Sequence, residues 1–85
     1  MRKKPNLASN FARQVIKAAS RGCEAFEPGD IRVSRQLCGP TFWKSLSKQQ
    51  QIEAGYILST AIDEAWLPLV KLGRSSSNHK RYERE

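Results

Sequence analysis

Leu7, Phe11, Val15 and Ala18 recur at spacings of four, four and three, and Ala8, Ala12, Ile16 and Ala19 form an adjoining stripe. One broad apolar face at helical period predicts a helix from Asn6 to Arg21. Asn6 suits the N-cap, and Gly22 suits the left-handed position just past the last turn. The pattern then changes. Glu27, Pro28, Gly29 and Asp30 have the chemistry of a turn, and Asp30 is placed to cap a second, short helix containing Ile31, Val33 or Ser34, and Leu37, stopped by Cys38, Gly39 and Pro40. Alternation of Ile31 and Val33 with Arg32 and Ser34 fits a short strand as well; the helix is the favoured reading.

Phe42, Trp43 and Leu46 are spaced for a single helical turn, and aromatics this large in a small chain belong to a core more often than to a ligand platform. Ser47 followed by Gln50 is a capping box, opening a helix that runs to about Glu64 or Ala65. Its core-facing stripe is Ala54, Ile57, Leu58, Ala61, Ile62 and Ala65. Gly55 lies inside this helix at a cost of about 1 kcal/mol relative to Ala, which points to close packing or close approach of a partner. Trp66, Leu67 and Pro68 end it.

Beyond that helix, Leu67, Leu69, Val70 and Leu72 read as a strand. Gly73 to Asn78 read as a loop, and His79 to Glu83 as a returning strand. The fold expected is α+β: three helices followed by a C-terminal two-stranded β-hairpin, the order of a winged-helix domain. The run from Gly39 to Tyr82 carries Phe42-Trp43-x-x-Leu46, Gly55, Leu67-Pro68-Leu69 and Gly73-Arg74-x-x-x-Asn78-x-x-x-Tyr82. Over about half the chain it resembles the small single-domain proteins encoded by phages and conjugative elements, and more loosely the winged-helix DNA-binding proteins. That resemblance implies a DNA-binding regulator or accessory factor of a mobile element; it brings no catalytic residue with it.

Length and charge narrow the reading. With 85 residues there is room for one domain, 1–85, with loose ends at about 1–5 and 83–85. Of the net charge of +7, residues 1–21 carry +6 and residues 67–85 carry +3, while 22–43 and 44–66 each carry −1. Cations gathered at both ends can put a field on one face and draw polyanions by counterion release; the plainer alternative is a soluble cationic surface with frayed tails.

The candidate nucleic-acid contacts follow from this distribution. In the hairpin they are Lys71, Arg74, Ser76, Asn78, Lys80 and Arg81, with Arg74 at the tip suited to a minor groove and Ser75 to Ser77 adding donors to phosphate oxygens. The same cations would also protect an edge strand from pairing with other chains. Arg13, Lys17 and Arg21, four apart on the polar side of the first helix, either track a phosphate backbone or are merely solvated. At the start of the third helix stand Lys48, Gln49, Gln50 and Gln51; Gln pairs with adenine edges, although Gln at a helix start is more often plain surface. A groove-reading helix usually brings Arg or Lys, so the ribbon and first helix are expected to dominate, giving affinity more than sequence choice. Tyr82 is expected to pack its ring under the sheet.

Other classes find less support. No stretch matches the roughly 20 apolar residues that span a bilayer, and the basic Met1 to Lys4 lacks the apolar segment of a signal peptide, so a cytoplasmic protein is expected. Cys23 and Cys38 then read as free thiols, and with a lone His79 and no C-x-x-C there is no zinc set; no metal or cofactor is expected. His79 has no organised Ser or acid partner, so an enzyme is not expected. The partner expected is nucleic acid, with double-stranded DNA ahead of RNA. The rival is a protein-interaction module gripping a host protein through Trp43, Trp66 or the acidic side of the third helix, without nucleic-acid binding.

Overall fold

A computed structural model describes residues 6–74, with the side chain of Arg74 excepted, and 79–85. The elements in chain order are α1 (Asn10–Ala25), β1 (Ile31–Val33), α2 (Ser34–Cys38), α3 (Pro40–Lys44), α4 (Lys48–Asp63), β2 (Leu69–Arg74) and β3 (Lys80–Arg84). The α+β class holds, with four helices where three were expected and a three-stranded sheet where a two-stranded ribbon was expected.

The first helix starts and stops one turn later than its cap signals predict. Asn6 Oδ1 accepts from the Ala8 N–H at 2.9 Å and so caps a preceding turn, while Ser9, in an extended conformation, accepts the Ala12 N–H at 3.1 Å and is the true N-cap. At the other end α1 continues through Gly22 to Ala25. Gly22 is therefore not a C-cap: a Cβ there would overlap the carbonyl oxygen of Leu37 and stand 2.9 Å from its carbonyl carbon. The missing side chain lets the α2 backbone lie directly against α1, whose buried row of Ala12, Val15, Ala19 and Cys23 is equally small.

Asp30 caps a turn rather than a helix. Its Oδ2 accepts the Glu27 N–H at 3.0 Å, and Gly29 takes a positive φ of 94°. Ile31 to Val33 then form a strand because β3 offers it a ladder: Ile31 pairs with Glu83, Arg32 with Tyr82 and Val33 with Arg81. Helix begins only at Ser34, with Gln36 Oε1 accepting the Val33 N–H at 3.1 Å. Gly39, at φ 93°, turns the chain from α2 into α3, and Pro40 opens α3 where its missing N–H costs nothing.

The capping box of α4 forms in both directions, with the Gln50 N–H on Ser47 Oγ at 3.2 Å and the Ser47 N–H on Gln50 Oε1 at 2.9 Å. Ala54, Ile57, Leu58 and Ala61 of its stripe are buried, but Ala65 is exposed, since the chain leaves the helix there in a left-handed turn at φ 61°. The sheet has the order β1-β3-β2, antiparallel throughout, with a bulge in β2 between Lys71 and Arg74. Tyr82, at the centre of the middle strand and 1% exposed, packs between sheet and helices with Leu37, Ile57, Leu58 and Val15, and its hydroxyl accepts from Ser34 Oγ at 3.4 Å. Residues expected to be loose at the C-terminus are bonded into this frame: the Arg84 N–H donates to Asp30 O at 3.0 Å, Arg84 Nε to Cys23 O, and the Glu85 N–H to Pro68 O at 2.9 Å. No helix among the described residues is long and apolar enough to cross a membrane.

Candidate nucleic-acid interface

Between α2 and α3 on one side and the first half of α4 with the start of β3 on the other lies an open groove of about 800 Å³. Its walls carry Arg35, Lys44, Lys48 and Lys80, and among the described residues no carboxylate lines it. Trp43, Ile52 and Tyr56 supply apolar surface, and Gly55 forms part of the floor. Each side chain arrives for a local reason. Lys48, Ile52 and Tyr56 are four apart, so one stripe of α4 faces the groove. Lys80 opens β3 on the face that its next-but-one neighbour Tyr82 turns toward the helices, and its ammonium stands 5.0 Å from the Tyr56 ring centroid, a cation–π contact joining hairpin to helix. Gln51 Nε2 donates to Trp43 O at 3.1 Å and so ties α4 to α3.

Such a groove suits a polyanion with planar groups: four cations without a local acid attract phosphate, and exposed aromatic surface can meet a base or sugar. The three glutamines divide by geometry. Gln50 is spent on the capping box and Gln51 on Trp43, which leaves Gln49 exposed and without a protein partner among the described residues.

The sites expected from sequence are not gathered in one place. Lys48 and Lys80 meet in the groove, with Gln49 beside Lys48. Lys71 is directed elsewhere: its ammonium is 2.7 Å from Asp63 Oδ1 and 3.1 Å from Ser59 Oγ, at the far end of α4. Arg81 lies on the opposite face of the sheet from Lys80, its Nε donating to Gly73 O at 2.9 Å. Arg13, Lys17 and Arg21 are exposed on α1, and Lys17 and Arg21 border a second, mostly apolar cleft with Phe26 and Phe42. The α2–α3 segment turns Gln36, Leu37 and Phe42 to that cleft, and Arg35, Trp43 and Lys44 to the groove, so the cations of α1 and those of the hairpin do not share a pocket. Ser76, Asn78 and the side chain of Arg74 lie outside the described residues.

Arg35, Lys44 and Tyr56 join the site without having been singled out from sequence. The four-residue spacing of Lys48, Ile52 and Tyr56 along α4 is a usable signal for Tyr56; Lys44 and Arg35 have none, because their places depend on how α3 and α2 pack. The thiols take no part. Burial pushes Cys38 up to about 12, with a smaller contribution from Cys23 nearby, and burial likewise raises Cys23 against the opposing pull of Arg84. Among the described residues no group of three His, Cys, Asp or Glu side chains is placed to hold a metal ion.

Comparison of the chain with known protein families, with curated proteins and with solved structures finds no match in any of the three.

Proposed function

We propose that this protein binds nucleic acid, double-stranded DNA in the first place, as a small regulator or accessory factor of a phage or mobile element. The groove between α3, α4 and β3 is its phosphate-gripping surface. One observation carries the reading: Lys48 and Lys80, from elements far apart in sequence, stand in one acid-free groove with Arg35 and Lys44. The order helix, strand, two short helices, long helix and hairpin, with the first strand paired to the last, supports a winged-helix arrangement in which α4 takes the place of the recognition helix and β2–β3 form the wing. Lys48 and Lys80 then hold backbone phosphates, and Gln49 is turned toward base edges.

The test is a fluorescence-anisotropy titration on a random duplex at rising salt. Affinity falls steeply with salt, and the Lys48→Glu/Lys80→Glu double variant binds at least about tenfold more weakly with a salt slope lower by about two. Arg13→Glu, outside the groove, changes affinity less. Unaltered binding by the double variant, with its fold intact by circular dichroism, overturns the assignment. A second reading rests on Trp66, which is 55% exposed: a protein-interaction module whose partner covers this ring. Binding of that kind responds mildly to salt and is lost in Trp66→Ala while duplex binding persists.

A further inference from the structure

The sheet has two faces, and only one packs on helices. Leu69, Lys71, Tyr82 and Arg84 point inward by register, while Ile31 and Val33 of β1, Arg81 and Glu83 of β3, and Val70 of β2 point outward; Leu72 lies in the β2 bulge beside Arg81. Ile31 and Val70 are each 45% exposed, and they flank Glu83 directly across the ladder. β-branched residues on the open side of a sheet, on both flanks of a central charged pair, are not what a face left to water presents.

We propose that this outer face docks against the same face of a second copy of the chain. Consider a two-fold axis lying in the interface, across the strands, at the level of the Arg32–Tyr82–Lys71 row. It sets β3 antiparallel to its partner β3, with Arg81 opposite the partner's Glu83 and Glu83 opposite the partner's Arg81. The same rotation sets Ile31 opposite the partner's Val33, so apolar meets apolar on the flank. On the other flank Val70 faces the bulged stretch of the partner's β2 that holds Leu72. The surface is thus self-complementary in both charge and hydrophobicity, which a chance patch is not.

Side-chain geometry favours the pairing. Arg81 is anchored through Nε on Gly73 O at 2.9 Å, a bond that does not use its two terminal nitrogens, the donors a carboxylate would take. Glu83 makes no ion pair among the described residues. The opposite face of the same strand carries Lys80 into the groove, and of the interface residues Val33 alone also lines that groove. A patch of so few side chains is smaller than a standard specific interface, so the pair is a weak one that assembles in a concentration-dependent manner rather than as an obligate dimer.

Sedimentation equilibrium from micromolar to near-millimolar concentration tests this. The unaltered chain rises toward twice its monomer mass; Glu83→Arg and Arg81→Glu, each placing like charges across the axis, stay monomeric, and an equimolar mixture of the two recovers the higher mass. In the unaltered chain the Ile31 and Val70 methyl resonances shift with concentration, whereas the Gly55 amide does not. This second measurement stands even where a variant folds poorly. A chain that is monomeric throughout the range overturns the proposal. So does self-association that survives both charge reversals, or concentration shifts that fall on α1 or the groove instead of the sheet.

Discussion

Gly22 in α1 and Gly55 in α4 both put the poorest helix former short of proline inside a 16-residue helix, and the two junctions around them differ in what they need. At the α1–α2 junction the Leu37 backbone occupies the very volume a side chain on Gly22 would fill. At the junction of α4 with β3, a Cβ on Gly55 would meet, among the described residues, only Lys80 Nζ, at 4.0 Å, an ordinary contact with the far end of a long side chain. The first glycine is imposed by packing within the chain. The second is not, and what it keeps low is the floor of the cationic groove. Under the proposed function, Gly55 marks the side of the molecule that a duplex approaches.

The largest test of that contrast is Gly22→Ala. Because the obstacle is backbone rather than a movable side chain, α1 and α2 have to separate, and stability to urea falls by about 3 kcal/mol. A loss under about half a kilocalorie would mean that the two helices are less closely apposed than described.

The same junction also sets an alkaline limit. Cys38, held up at about 12 against an ordinary 9.0, keeps its proton in the folded chain where the unfolded chain has lost it. Over that interval the folded state binds more protons, so its stability is complete below pH 9.0 and declines as pH rises toward 12. Denaturation midpoints measured across this window fall more steeply for the unaltered chain than for Cys38→Ala; parallel slopes would remove the thiol from the account.

The smallest effect sharpens the groove side. Gly55→Ala raises helix stability by about 0.5–1 kcal/mol, since nothing among the described residues resists the methyl group. Its duplex affinity nevertheless drops, because the methyl stands on the groove floor. A variant both more stable and equally tight would place the ligand away from Gly55.

Local signals carried much of this fold. The Ser47 and Gln50 pair set the start of α4 because both hydrogen bonds of a capping box lie within four residues, and the hairpin followed from one apolar run and a turn-rich loop ahead of the returning segment. Where two local solutions were equally good, position was lost. Asn6 and Ser9 are both sound caps, and only the fit of Ala12 and Val15 into the core selects Ser9. Gly22 looked like a stop because a glycine after Arg21 is the same local signal whether it ends a helix or admits a neighbouring backbone. Ile31 to Val33 became strand because of Arg81 to Glu83, a partner that no nearby residue announces. The groove was half legible for the same reason: the α4 stripe could be read from spacing, whereas joining Arg35 to Lys80 needed the packing of α2 and β3.

The middle strand of the sheet comes last in sequence. β1 and β2 touch no common ladder except through β3, and Arg84 in β3 also bonds the end of α1. Peeling β3 away strips both neighbours of their hydrogen bonds in a single event and takes Lys80 out of the groove with it. The ribbon therefore has no graded way to loosen: it forms or dissolves as one cooperative block, and the long-range closure that brings β3 to β1 is the step expected to limit how fast the chain reaches its native shape.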